Sequence, residues 1–121
     1  MHTVLVVDDE PLIRWAIRES LEGAGYTVVE AGTAREALRQ LGAAAPISFA
    51  LLDLRLPDCD DLSLVRRVRR DAPACRVIVM TAHGTPEILA KAIEVGAVET
   101  VSKPFDLSSV LTMIQAVTPA A

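Results

Sequence analysis

The apolar run Phe49-Ala50-Leu51-Leu52 ends abruptly on Asp53, and Leu54-Arg55-Leu56-Pro57-Asp58 follows as a stretch that turns. A short apolar run bounded by turn signals reads as a strand buried on both faces. Such strands belong to parallel sheets, whose ligands gather at the strands' carboxyl ends. A carboxylate there can serve as nucleophile, metal ligand or turn starter, and an Asp shortly before Pro most often does the last. Three other runs change that balance. Val4-Leu5-Val6-Val7 ends on Asp8-Asp9, Val77-Ile78-Val79-Met80 on Thr81, and Val98 to Ser102 on Lys103. If these ends converge, two further carboxylates, a hydroxyl and an ammonium stand beside Asp53.

Carboxylates gathered at neighbouring strand ends repel one another, so the cluster persists only if cations offset the repulsion. Lys103 supplies one as a point charge. A divalent ion supplies the other, and Mg²⁺ suits because it takes one or two carboxylates, keeps waters and accepts phosphate oxygens. Each group alone has an ordinary explanation: Asp8 and Asp9 favour a helix amino end, Thr81 is a common strand residue, and Lys103 precedes a turn proline. Their joint placement after separate strands is what points to chemistry.

The elements that must position them follow from periodicity. Thr3 to Val7 reads as a first buried strand. Pro11 opens a helix to about Glu22, with Ile13, Ala16, Ile17, Leu21 and Ala24 as its inner stripe, Trp15 off that stripe, and Gly23 or Gly25 as its stop. Thr27 to Glu30 is a second strand, and Thr33-Ala34-Arg35-Glu36 is a capping box opening a helix that ends near Gly42, with Leu38 and Leu41 inward. After the Phe49 strand, Asp60 or Asp61 caps a helix through Asp71. Its inner stripe is Leu62, Val65 and Val68, and its solvated face carries Arg66, Arg67, Arg69 and Arg70. Arg76 to Thr81 is the fourth strand, Thr85-Pro86-Glu87 starts a helix through Val95 whose Ile88, Leu89, Ala92 and Ile93 pack, and Gly96 ends it. Val98 to Ser102 is the fifth strand. Asp106 caps a last helix with Leu107, Val110, Leu111, Ile114 and Val117 inward. This alternation predicts a parallel α/β sheet with helices on both faces.

At 121 residues the chain reads as one domain at 1–121, with 118–121 a tail or linker stub, able to bury roughly two thirds of its unfolded surface. The apolar runs are too short to span a membrane and the amino terminus is not signal-like, so a soluble, cytoplasmic protein is expected. A net charge of −4 and four aromatic residues argue against a direct nucleic-acid surface. Cys59 and Cys75 lack metal or redox spacing and are expected to be reduced structural thiols.

Asp8-Asp9, Asp53-Leu54-Arg55-Leu56-Pro57, Val79-Met80-Thr81-Ala82 and Lys103-Pro104-Phe105, in that order, resemble the receiver domain of two-component response regulators over nearly the whole chain. Ile13-Arg14-Trp15 and Met80-Thr81-Ala82-His83-Gly84 look most like the nitrogen-regulatory subgroup, which precedes an AAA+ ATPase and a DNA-binding domain. The resemblance implies a (βα)5 flavodoxin-like domain with strand order 2-1-3-4-5. It also implies a switch, not a turnover enzyme, that catalyses its own phosphorylation and dephosphorylation. Asp53 would accept phosphate from a sensor histidine kinase or phosphotransfer protein. Asp9, Asp53 and the Arg55 carbonyl would bind Mg²⁺, with Asp8 nearby or through water. Thr81 and Lys103 would hold phosphoryl oxygens, small Ala82 would leave the site open, and the Lys103-Pro104 bond would be cis. A homodimer through the fourth helix, fifth strand and fifth helix is expected.

Two positions depart from the family pattern: Asp61 stands where a loop glycine is usual, and Thr100 where Tyr or Phe is usual. Rival readings fare less well. A flavodoxin-like cofactor binder wants amide-rich residues where Asp8-Asp9-Glu10 would repel phosphate, and a haloacid-dehalogenase-type phosphatase wants an Asp-x-Asp that Asp53-Leu54-Arg55 lacks. A degenerate receiver serving only as an interaction module is the alternative, and the complete set Asp8, Asp9, Asp53, Thr81 and Lys103 counts against it.

Overall fold

The computed structural model describes residues 2–43 and 46–117. The expected tail at 118–121 lies outside the described residues. Strands β1 (Thr3–Val7), β2 (Thr27–Ala31), β3 (Phe49–Asp53), β4 (Arg76–Thr81) and β5 (Ala97–Ser102) alternate with helices α1 (Pro11–Gly23), α2 (Ala34–Leu41), α3 (Ser63–Asp71), α4 (Pro86–Glu94) and α5 (Leu107–Val117). All strand pairs are parallel and the order is β2-β1-β3-β4-β5, as expected.

The apolar strands are apolar because both faces are covered. Leu5, Val7, Ala50, Leu52, Val77 and Val79 point to a core closed by Ala34 and Ala37 of α2, Val65 and Val68 of α3, and Ala92 of α4. Val4, Val6, Phe49, Leu51, Ile78 and Met80 point the other way, onto Ile17 and Leu21 of α1 and Val110 and Ile114 of α5. Alternate residues therefore feed opposite cores, which fixes the register, since a slip of one residue would exchange the two sets. In that register Val7 pairs with Leu52, Asp53 with Met80, and Thr81 with Ser102. Asp8, Asp53, Thr81 and Lys103 thus emerge along one edge.

Several local expectations are corrected. Helix α3 begins at Ser63 with Leu62 at the cap position, and Asp61 Oδ1 accepts from the Ser63 amide at 2.9 Å from just outside the helix. Ala24 is exposed, beyond the last turn of α1. Ile88 and Ile93 are exposed because α4 reaches the sheet mainly through small Ala92. Leu107 is exposed as well, at the first turn of α5. Arg69 is no solvated arginine: its Nη1 donates to the carbonyls of Pro73 at 2.8 Å and Cys75 at 2.9 Å. Its stem lies where a Cβ on Gly96 would come within 2.7 Å, and Gly96 has φ of +122°. That position needs glycine both for its backbone and for its space. Cys59 and Cys75 are free thiols, and burial pushes Cys75 up to about 11.

Helix α2 is capped twice. Thr33 Oγ1 accepts from the Glu36 amide at 3.0 Å, as the capping box predicts, while Asp58, from the loop after β3, accepts from the amides of Ala34 at 2.7 Å and Arg35 at 3.0 Å. These two amide bonds hold the Asp58 carboxyl below its usual range. Asp58→Ala is expected to cost about 0.5–1 kcal/mol, a capping value reduced for solvent screening. A carboxyl lowered in the folded state stabilises above its unfolded pKa and ceases to as pH falls through its folded one. Urea unfolding should therefore separate variant from wild type at neutral pH, and the gap should close in acid. A gap independent of pH would refute the cap.

Candidate functional site

Asp8 is fully buried, Asp53 is 6% exposed and Thr81 3% exposed. Two buried carboxylates at adjacent strand ends require a cation, and Lys103 Nζ lies between them, 2.6 Å from Asp8 Oδ2 and 3.2 Å from Asp53 Oδ2. The Lys103 amide donates to the Thr81 carbonyl at 2.8 Å, so the β4–β5 ladder carries the lysine to this position. The Lys103–Pro104 bond is cis. The remaining oxygens are held by backbone: Asp53 Oδ1 accepts from the Arg55 amide at 3.0 Å and Asp8 Oδ1 from the Glu10 amide at 2.9 Å. Among the described residues no buried side-chain nitrogen or oxygen lacks a partner.

Burial raises the Asp53 carboxyl, and the Arg55 amide and Lys103 only partly offset it. Burial by itself would lower the Lys103 ammonium, but Asp8 and Asp53 outweigh it, so the ammonium is held above its usual range. One positive charge serves two buried negative ones. The site therefore remains net anionic, which favours a further cation.

The outer part of the site is open. Asp9 and Glu10 are exposed, and the carboxylate oxygens of Asp8, Asp9 and Glu10 lie within 4.8 Å of one another. Glu10 Oε1 also stands 3.6 Å from Lys103 Nζ. An all-oxygen donor set of this kind fits a hard divalent ion such as Mg²⁺ or Ca²⁺. Asp9 shares a polar groove of about 390 Å³ with Arg55 and Asp60. A second groove, of about 640 Å³, has Leu54, Leu62, Thr81 and Ile88 among its lining. In a third, of about 480 Å³, Ala82 and Lys103 meet Ile13 of α1 and Phe105. Thr81 Oγ1 accepts from the His83 amide at 3.1 Å, which leaves its hydrogen free to donate.

All the residues expected from the sequence thus lie at one end of the sheet: Asp8, Asp53, Thr81 and Lys103 inside, Asp9, Arg55 and Ala82 on the open rim. Two contributors were not singled out from sequence. Glu10 enters by adjacency to Asp9, and that contiguity was the available signal. Arg14 donates from Nη1 to the Asp8 carbonyl six residues back, a contact made by the way α1 folds against β1 that no residue pattern marks.

The family model for the response regulator receiver domain matches residues 4–115. The chain is 34% identical over 112 residues to the DNA-binding transcriptional regulator NtrC of Escherichia coli (strain K12), covering 93% of this chain and 24% of that protein. It is 36% identical over 113 residues to the transcriptional regulatory protein PhoP of the same strain, covering 93% and 50%. The solution structure of the beryllofluoride-activated NtrC4 receiver domain dimer superposes with a TM-score of 0.89 at 35% identity, covering 96% of this chain and 95% of that one.

Proposed function

The chain belongs to the response regulator receiver domain family, and from that premise we propose that it is a phosphorylation-dependent switch whose phosphoacceptor is Asp53. The observation that carries this is the sharing of Lys103 Nζ by buried Asp8 and Asp53, with Thr81 beside them. An Asp53 oxygen attacks phosphorus, the bond to the donor's phosphohistidine nitrogen breaks, and an acyl phosphate remains. Little covalent work falls to the protein in such a transfer; it positions the partners and neutralises the phosphoryl oxygens. Lys103 is placed to pair with one such oxygen and the free Thr81 hydrogen to donate to another. Asp9, Asp53 and the Arg55 carbonyl are the proposed holders of Mg²⁺, which when bound supplies positive charge against the phosphoryl group. Asp8, whose Oδ2 lies 2.6 Å from Lys103 Nζ, is proposed to act nearby or through water. Ala82 keeps the rim open.

Incubation with acetyl phosphate and Mg²⁺ should add one phosphoryl mass to the intact chain. No added mass, or the same uptake after chelation, refutes the reading.

The proposed donor is a sensor histidine kinase or phosphotransfer protein in the cytoplasm, docking on the α1 side, where Leu12 is 80% and Trp15 60% exposed. Among the described residues no helix is long and apolar enough to cross a membrane. The chain spans only about a quarter of NtrC and half of PhoP, so residues 1–121 are proposed as a receiver unit whose output domain, AAA+ or DNA-binding, lies outside this sequence. Exposed Ile93 and Val98 on α4 and β5, beside Ser108, Thr112 and Ala116 on α5, are the proposed homodimer face.

Thr100 pairs with Val79 in the β4–β5 ladder and has no ring to fill space vacated by a moving Thr81. Coupling should therefore run through the loop from Ala82 to Pro86 and α4. Amide shifts on beryllofluoride addition are expected to be large at His83 and small through Val98 to Ser102. Equal shifts at both would refute this.

A further inference from the structure

The β1–α1 loop that carries Asp9 and Glu10 is exposed, yet the residue that leads into it, Asp8, is tethered through both of its backbone polar groups. The Asp8 amide donates to the Ala31 carbonyl at 3.1 Å, and the Asp8 carbonyl accepts from Arg14 Nη1 on α1. Arg14 is itself held: its Nε lies 3.2 Å from Glu30 Oε1 on β2, with both side chains partly buried. Gly32 leaves the space for it, since a Cβ there would stand 3.1 Å from Nη1. A peptide is planar, so holding the Asp8 carbonyl holds the plane of the Asp8–Asp9 peptide and with it the position of the Asp9 Cα from which the carboxylate reaches out.

We infer that Arg14, oriented by Glu30, is a positioning residue of the acidic loop and sets its affinity for a divalent cation. The inference rests on the proposed reading of the site. It makes a prediction of unusual sign. By Coulomb's law a guanidinium beside a cation site opposes a second cation, so charge alone makes removal of Arg14 tighten binding. Positioning makes removal weaken it, because the carboxylates no longer start from the geometry in which they converge.

Mg²⁺ binding to the unphosphorylated full chain, read by titration calorimetry, decides between them. Arg14→Met is expected to bind Mg²⁺ about tenfold more weakly, the usual cost of losing a group that orients metal ligands. Glu30→Gln should weaken binding by less, and the double variant should be no weaker than Arg14→Met alone, because Glu30 acts through Arg14. Arg67→Met serves as control: Arg67 pairs with Asp71 at 2.9 Å on α3, with neither Glu30 nor the loop, and its loss should leave the affinity unchanged. Equal or tighter binding in Arg14→Met overturns the inference. If circular dichroism shows that variant unfolded, unchanged affinity in Glu30→Gln overturns it instead. A wild-type chain that binds no Mg²⁺ overturns both this inference and the reading of the site, whereas wild-type binding with unaltered variants overturns the inference alone.

Discussion

Asp53→Asn is expected to abolish phosphoryl uptake while raising the melting temperature. The two outcomes share a cause. Asp53 and Asp8 are buried carboxylates served by one ammonium, and burial raises the Asp53 carboxyl. An amide removes one buried negative charge, keeps one oxygen to accept from the Arg55 amide or from Lys103, and leaves Asp8 and Lys103 as a neutral pair. Intrinsic nucleophilicity goes with the charge, since an amide oxygen forms no stable acyl phosphate. Intact mass after acetyl phosphate treatment with Mg²⁺ should show no adduct in the variant and one in the wild type. A stabilised variant that still gains one phosphoryl group would move the acceptor elsewhere in the cluster. A destabilised one that gains none would mean that the carboxylate is a structural partner of Lys103 first.

Much of this arrangement is legible in the sequence, and the reason is physical. Strands buried on both faces must be apolar, so the point where polarity begins marks the carboxyl end of each; Asp8, Asp53, Thr81 and Lys103 were visible as such transitions. The capping chemistry of Thr33 and Thr85 was equally legible, because it is local. What is not legible depends on where a side chain ends up once the elements are folded and packed. Asp58 looked like a turn residue, yet it caps a helix that begins at Ala34. Arg69 matched a solvated face by spacing, but its guanidinium turns back onto the loop before β4. Ile88 lies one turn before Ala92 and Ile93 one turn after Leu89, and spacing alone does not say that a helix sits with a small residue against its sheet. Arg14 and Glu30 belong to elements whose adjacency exists only in the folded sheet.

Lys103→Met tests the centre of the site from the opposite side. The side chain lies between Asp8 and Asp53 and is 10% exposed, so methionine replaces its length without its charge and strands two carboxylates in a nearly dry space. Removing one partner of a buried ion pair typically costs about 3–5 kcal/mol, because the remaining charge keeps its desolvation penalty and loses its compensation. Urea unfolding at neutral pH without divalent ions should show a loss of that order. Mg²⁺ should then stabilise the variant more than the wild type, since a ligand that binds only the folded state stabilises it by an amount that grows with the logarithm of its affinity, and the site has become more anionic. Adding Asp53→Asn to Lys103→Met should recover part of the loss, a coupling that independent sites would not display. Phosphoryl uptake should slow by about 10²–10³, the usual effect of removing one preorganised partner of a developing negative charge. A variant as stable as wild type in the absence of Mg²⁺ would mean that Asp8 and Asp53 do not share a charged lysine in solution. Normal uptake with lowered stability would confine Lys103 to holding the two carboxylates together and leave the phosphoryl oxygens to other groups.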